Sequence, residues 1–130
     1  MLSTLENLHA QCFPHRPWSA SEFMDLKKSG CEIIASDNGF IVWRVVGPDA
    51  EIITLGVAPS ARRGGIAAAM LAIMESESRK AGATRIILDV AEDNTAARAL
   101  YESQGYIIDG RRPKYYDGVD AILMSKKLSE

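Results

Sequence analysis

A chain of 130 residues, 47% hydrophobic and 25% charged, fits one domain and can bury an ordinary core without disulfides or structural metals. Its net charge of −2 argues against a general nucleic-acid binder, which is usually basic, while leaving room for one local basic patch. No apolar run approaches the ~20 residues that span a bilayer. No basic-then-apolar leader is visible, and Cys12 and Cys31 share no paired motif, so reduced thiols in a cytoplasmic protein are the expectation.

Residues 3–12 can form a short helix, with Leu5, Leu8 and Cys12 at helical spacing, before Pro14 and Pro17 interrupt it. Ser19 and Glu22 fit a capping box, with Trp18 and Phe23 as the hydrophobic staple around it. A second helix therefore runs from about Ala20 to Ser29 and stops at Gly30. From Cys31 the period changes to that of strands: Glu32–Ala35, Phe40–Val46 and Glu51–Val57. The first two are joined at Asp37-Asn38-Gly39, read as an Asn-Gly hairpin with positive φ at both turn positions. Gly47-Pro48-Asp49 makes the next turn.

After Val57 come a Pro/Ser turn, Arg62, Arg63, Gly64 and Gly65, then a helix over about Gly65 to Ala81. Its first half, Ile66 to Met74, is apolar nearly all round and reads as buried; Glu75 to Lys80 reads as solvated, and Gly82 stops the helix. Arg85 to Val90 is a continuous β-branched and apolar strand with Asp89 at its end, where a carboxylate is unusual. Asn94 can cap a helix from Thr95 to Gln104, with Ala97, Leu100 and Tyr101 on one face and Gly105 at its end. Tyr106–Asp109 is a strand, Arg111–Gly118 a polar loop, and Asp120–Leu128 a closing strand. The order ααβββαβαββ describes an α+β or mixed α/β domain with a sheet of about six strands, and no internal repeat or linker divides it.

Two constellations carry chemistry. A strand, a glycine loop and a helix N-terminus offer unpaired N–H groups and the positive end of a helix dipole to a phosphate, and Arg62 and Arg63 add charge. The loop lacks the Lys-Ser/Thr of a nucleotide P-loop, and a plain turn accounts for it equally well. The second constellation is Asp89, Asn94 and Tyr101. Individually these are a helix- or arginine-pairing carboxylate, an N-cap and a core aromatic. Together they can place a base and an acid around one ligand. Arg111, Arg112, Lys114, Tyr115 and Tyr116 form a basic-aromatic cluster, either a solvated loop or a lip facing a substrate. His9 and His15 fall outside any ligand spacing and read as surface or ordinary packing residues.

Arg62-Arg63-Gly64-Gly65-Ile66-Ala67 resembles the R/Q-x-x-G-x-G/A pyrophosphate loop of the GNAT superfamily of N-acetyltransferases. The run from Asn94 through Leu100-Tyr101 to Gly105-Tyr106 is similar to that superfamily's N-x-x-A-x-x-L-Y-x-x-x-G-F/Y segment, at the usual separation from the loop. Within the superfamily the chain most resembles the ribosomal-protein alanine N-acetyltransferase (RimI-type) subfamily. That likeness rests on Pro17-Trp18-Ser19, on Leu100-Tyr101-Glu102-Ser103-Gln104-Gly105-Tyr106, and on Arg112-Pro113-Lys114-Tyr115-Tyr116 with Asp120-Ala121-Ile122.

The resemblance implies one GNAT domain over residues 1–130. It implies a central, mostly antiparallel sheet of about six strands splayed at a parallel pair, about four flanking helices, and a first strand that is reduced or missing. Acetyl-CoA, as co-substrate, would lie where the strand ending at Val57 splays from the strand ending at Val90. Backbone groups of Leu55, Gly56 and Val57 would bond the pantetheine arm and polarise the thioester. Arg62, Arg63, Gly64, Gly65, Ile66 and Ala67 would cradle the pyrophosphate, and Asn94 would touch the cofactor near its pantetheine. Tyr101 would protonate the leaving thiolate. Asp89 stands where the subfamily has a glutamate base, one methylene shorter, and would act directly or through a water. Trp18, Arg112, Tyr115 and Tyr116 would meet the acceptor.

The implied reaction is direct attack of a neutral amine on the thioester, within a ternary complex, without a metal or a covalent enzyme intermediate. An α-amine has a pKa of about 7.7–8.0, so a modest base frees it. The acceptor this favours is a protein N-terminal α-amine, and the enzyme is expected to be a monomer or weak homodimer with no nucleic-acid or membrane partner. Two alternatives stand beside it: a small-molecule amine or lysine acetyltransferase of the same fold, and a non-catalytic acyl-CoA-binding module.

Overall fold

The computed structural model describes residues 2–13, 18–62, 64–116 and 118–128. In chain order it contains α1 (Leu2–Cys12), α2 (Ala20–Lys28), β1 (Glu32–Ala35), β2 (Gly39–Val46) and β3 (Asp49–Val57). A 3-10 turn (Pro59–Ala61), α3 (Ile66–Lys80), β4 (Arg85–Ala91), α4 (Thr95–Ser103), β5 (Ile107–Tyr116) and β6 (Val119–Lys127) follow. The six strands form one sheet in the order β1-β2-β3-β4-β6-β5. β3 and β4 run parallel, whereas β1–β2, β4–β6 and β5–β6 are antiparallel. This is the mixed α/β architecture that the resemblance implies. Among the described residues no strand precedes α1.

The chain packs as two compact units, Met1–Arg44 with Thr54–Met74, and Val45–Ile53 with Glu75–Glu130. In the first unit, α2 begins as its residues dictate. Ser19 Oγ accepts from the Glu22 N–H at 3.2 Å and Glu22 Oε1 accepts from the Ser19 N–H at 3.1 Å, closing the capping box. The Trp18 and Phe23 rings meet edge-on at 5.3 Å, which is the staple. Behind them lies His9, only 2% exposed. Its ring stacks on Trp18 at 4.6 Å and approaches Phe13, Phe23 and Phe40. His9 Nδ1 accepts the Trp18 N–H at 3.0 Å. Of the two readings of His9, packing is correct; His15 lies outside the described residues.

The β1–β2 turn departs from the expected Asn-Gly geometry. The Ser36 N–H donates to the Gly39 carbonyl at 2.8 Å, so Asp37 and Asn38 form the connection. Among the described residues Lys114 is the one non-glycine residue with positive φ, and Gly39 does not have it either. Gly39 is needed for closeness instead: a Cβ there would lie 3.1 Å from Met70 Cε and 3.2 Å from the Gly56 carbonyl oxygen.

In the second unit, β4 runs on to Ala91, so Asp89 lies within the strand and not at its end. Ile86, Leu88 and Val90 are buried, whereas Arg85, Ile87, Asp89 and Ala91 occupy the more open face. α4 starts with Asn94 Oδ1 accepting from the Ala97 N–H at 3.2 Å. It ends in a Schellman motif: Gly105, at φ +93°, donates its N–H to Glu102, and the Tyr106 N–H reaches the Tyr101 carbonyl at 3.0 Å.

Three further expectations fail. Ile73, in the supposedly buried half of α3, is 48% exposed. Glu75 and Ser78, in the supposedly solvated half, are buried, because positions 71, 74, 75 and 78 form one stripe of the helix. The supposed loop Arg111–Gly118 belongs for most of its length to β5, which pairs with β6 through register shifts at Ile108/Gly110 and Arg112/Tyr116. Those irregularities absorb the Pro and the polar residues that read as a loop.

Burial holds the His9 pKa near 4, against an ordinary 6.5, with Glu22 opposing the shift. Between these values the unfolded chain takes up a proton that the folded chain refuses, so stability falls as pH drops from about 6.5 to about 4 and this contribution stays lost below that. Chemical denaturation followed by Trp fluorescence should show that decline, and a His9→Phe variant should lose this component of it.

Candidate active site

In the first unit, β3 leads straight into the glycine loop. Gly56 is set in a tight place: a Cβ there would come within 2.8 Å of Cys12 Sγ and of Phe40 Cζ. The Val57 carbonyl accepts from Cys12 Sγ at 3.3 Å and from Arg62 Nε at 3.0 Å. A carbonyl oxygen has two lone pairs, so a third donor there has to displace one of these. The Ala58 N–H donates to the Asn38 carbonyl at 2.8 Å, tying the loop to the β1–β2 turn. Gly64 and Gly65 are exposed, Gly65 has φ +80°, and nothing lies within 4 Å of the Cβ position at Gly65.

The first in-helix bond of α3 runs from the Ala69 N–H to the Gly65 carbonyl, so the N–H groups of Ile66, Ala67 and Ala68 have no partner within the helix. The first turn carries no acidic side chain. An open glycine cradle, three N–H groups at a positive helix end and no competing carboxylate fit a pyrophosphate. Arg63 lies outside the described residues.

In the second unit, Asp89 faces away from the buried side of β4 with its side chain 29% exposed. Arg112 Nη1 on β5 stands 3.7 Å from Asp89 Oδ2. Partial burial raises the Asp89 pKa, Arg112 opposes this, and Glu51 adds to it. Arg112 in turn lies over the Tyr115 ring, 4.7 Å from its centre. Tyr101 is buried in α4, with its ring 5.5 Å from that of Tyr106.

Of the expected site residues, Arg112, Tyr115 and Asp89 are brought together on one unit. Asn94 uses its carbonyl oxygen as a helix cap, leaving its amide donors for other work. Trp18 is half-buried against His9 and Phe23, so it is a packing residue first. The side chain of Tyr116 lies outside the described residues. Arg111 is committed to ion pairs with Glu92 at 2.7 Å and Asp120 at 2.9 Å. Among the described residues no three His, Cys, Asp or Glu side chains gather as a metal site, and no helix is long and apolar enough to cross a membrane.

One polar cluster escaped the sequence reading. The Tyr106 hydroxyl donates to Glu75 Oε2 and Lys126 Nζ donates to Glu75 Oε1, both at 3.0 Å. The signal was available: Glu75 shares one helical stripe with Leu71, Met74 and the small Ser78, and a charge on such a stripe demands partners once it is buried.

A family model for the acetyltransferase (GNAT) family matches residues 2–106. The chain belongs to that family. It is an enzyme, an N-acetyltransferase whose acetyl donor is acetyl-CoA. The [ribosomal protein bS18]-alanine N-acetyltransferase of Escherichia coli K12 is 33% identical over 122 residues, covering 87% of this chain and 82% of that protein. An acetyltransferase of Pectobacterium atrosepticum is 32% identical over 132 residues, covering 95% and 86%. The crystal structure of the Escherichia coli ribosomal-protein-S18-alanine N-acetyltransferase superposes with a TM-score of 0.86 at 28% identity, covering 99% of this chain and 88% of that one.

Because the Gly56 site is closed by Cys12 and Phe40, Gly56→Ala should destabilise the protein by about 1–3 kcal/mol through overpacking. A fall in the thermal midpoint without loss of secondary structure at 20 °C, read by circular dichroism, checks this.

Proposed function

We propose that this enzyme acetylates the α-amine of a protein N-terminus, with Asp89 as the base and Tyr101 as the acid. The observation that carries the reading is the position of Asp89: a partly buried carboxylate with a raised pKa, on the open face of β4, paired with Arg112, which in turn lies over Tyr115. A base of this kind suits an amine that is already half neutral near pH 8. The name of the Escherichia coli relative, which specifies an N-acetylated alanine on a ribosomal protein, supports the same acceptor class.

Acetyl-CoA supplies the activated acetyl group. The N–H groups at Ile66 and Ala67, with Gly64, Gly65 and the charges of Arg62 and Arg63, would hold its pyrophosphate. Leu55, Gly56 and Val57 would offer backbone groups to the pantetheine, and Asn94 its side-chain amide. Arg62 donates to the Val57 carbonyl, so its turning toward a phosphate would release that carbonyl for the pantetheine. Asp89, directly or through one water, takes a proton from the acceptor ammonium. The amine nitrogen forms a bond to the acetyl carbon, the carbon–sulfur bond breaks with its electron pair going to sulfur, and the sulfur takes the Tyr101 hydroxyl proton; the nitrogen's remaining surplus proton leaves through water, which re-protonates Tyr101. Trp18, Arg112, Tyr115 and Tyr116 would contact the acceptor. The proposed enzyme is one catalytic domain over residues 1–130, working in the cytoplasm as a monomer or weak homodimer.

A library of N-terminal peptides incubated with acetyl-CoA, with free thiol as the readout, tests the acceptor class. Turnover on peptides with a free α-amine and none on their N-acetylated, lysine-bearing counterparts is expected. Faster turnover on polyamines or aminoglycosides would instead mark a small-molecule enzyme, and binding without thiol release would mark a non-catalytic module. Tyr101→Phe should lower kcat by about 10²-fold or more while acetyl-CoA affinity by calorimetry stays the same.

The pH profile follows from the electrostatics. Asp89 must be ionised to act, so kcat at saturating peptide falls as pH drops through its raised pKa. Arg112→Ala removes the charge that holds that pKa down, and the acid limb should move to higher pH. An unmoved limb would remove Asp89 as the base.

A further inference from the structure

We infer that Glu75 on α3 is a positioning residue for acetyl transfer: through Tyr106 it holds the Tyr101 ring at the angle its proton transfer requires. The inference rests on the reading of Tyr101 as the acid, and the experiment separates the two.

Glu75 is 7% exposed and sits beside Met74 and Leu71, both fully buried. A carboxylate in such a place is costly unless it is paired and hydrogen-bonded, and an apolar residue would fill the position without that cost. Both of its oxygens are used. Oε1 accepts from Lys126 Nζ on β6 and Oε2 from the Tyr106 hydroxyl, each at 3.0 Å. Lys126 Nζ also lies 5.6 Å from the centre of the Tyr106 ring. Tyr106 is therefore fixed at its far end by an ionised acceptor, which makes the stronger kind of hydrogen bond.

The other end of Tyr106 is fixed to Tyr101 in two ways. Its backbone N–H bonds the Tyr101 carbonyl at 3.0 Å, and its ring packs against the Tyr101 ring at 5.5 Å and 59°. A chain of contacts thus runs from Glu75, through a tyrosine held at both ends, to the proposed acid. Tyr106→Phe or loss of the Glu75 charge leaves the apolar packing of both rings and removes the hydrogen bond that anchors the Tyr106 ring. Proton transfer in the transition state is sensitive to displacements well below 1 Å, so the effect should appear in kcat and not in cofactor binding.

The test is steady-state kinetics with acetyl-CoA and a peptide bearing an N-terminal alanine. Glu75→Gln and Tyr106→Phe should each lower kcat about tenfold while the KM for acetyl-CoA changes less than about twofold. In a Tyr101→Phe background, Glu75→Gln should cost nothing further, since its effect passes through the missing hydroxyl. Glu75→Met paired with Lys126→Met removes the charges together and should fold well, yet keep the low kcat.

Wild-type kcat in folded Glu75→Gln or in the paired variant overturns the inference while leaving Tyr101 as the acid. So does an equal loss of kcat in the Tyr101→Phe background. Full turnover by Tyr101→Phe alone overturns the acid reading and the inference with it.

Discussion

A parallel pair of strands cannot be joined by a hairpin, and this constraint organises the chemistry of the protein. β3 and β4 are parallel, paired from Asp49↔Arg85 to Ile52↔Leu88, so the chain must travel the length of the sheet between them. It does so through α3, and the turn from β3 into α3 is the glycine loop. A helix N-terminus therefore follows the carboxyl end of β3, the place where open α/β sheets bind anionic ligands. The exposed glycines and the absence of acidic residues in the first turn of α3 keep that end available.

The same sheet decides what stands on the open face of β4. Strand alternation places Ile86, Leu88 and Val90 on the covered side of β4 and so turns Asp89 to the other side. The antiparallel partner β6 pairs Asp89 with Leu123 and Ala91 with Ala121, and β5 pairs Arg112 with Ala121 in turn. Arg112 reaches Asp89 because these registers align them across one intervening strand. The result is a carboxylate balanced between partial burial, which raises its pKa, and a guanidinium, which lowers it. On the helical side the balance is struck differently. Glu75 is almost fully enclosed, and it persists there with two donors and a close tie to the Schellman end of α4.

Much of this was legible wherever the determining interaction is local. Ser19 and Glu22 are three residues apart and close a capping box on each other; Asn94 caps the helix that begins at the next residue; Gly105 supplies the positive φ that ends it. The motif Arg62 to Ala67 needs only a strand before it and a helix after it. Reading failed where a distant residue decided the outcome. Asn38-Gly39 looked like a turn, but Gly39 is small because Met70 and Gly56 press on it. The Arg111–Gly118 segment looked like a loop, but β6 pairs with it across two irregularities. Glu75 looked solvated because its donors, Tyr106 and Lys126, are 31 and 51 residues away.

By itself, then, the sequence determined the order of the elements, their caps and stops, the phosphate-ready loop and the acetyltransferase resemblance. Each of these follows from side chains within a turn or two of one another, or from a contiguous motif. Only the tertiary structure decided that Arg112 moderates Asp89, that the Val57 carbonyl is shared by Cys12 and Arg62, that His9 is a buried neutral ring, and that Glu75 fastens Tyr106 beside Tyr101. These are pairings between groups far apart in the chain. Their strength depends on burial and on sheet register, which no local pattern encodes.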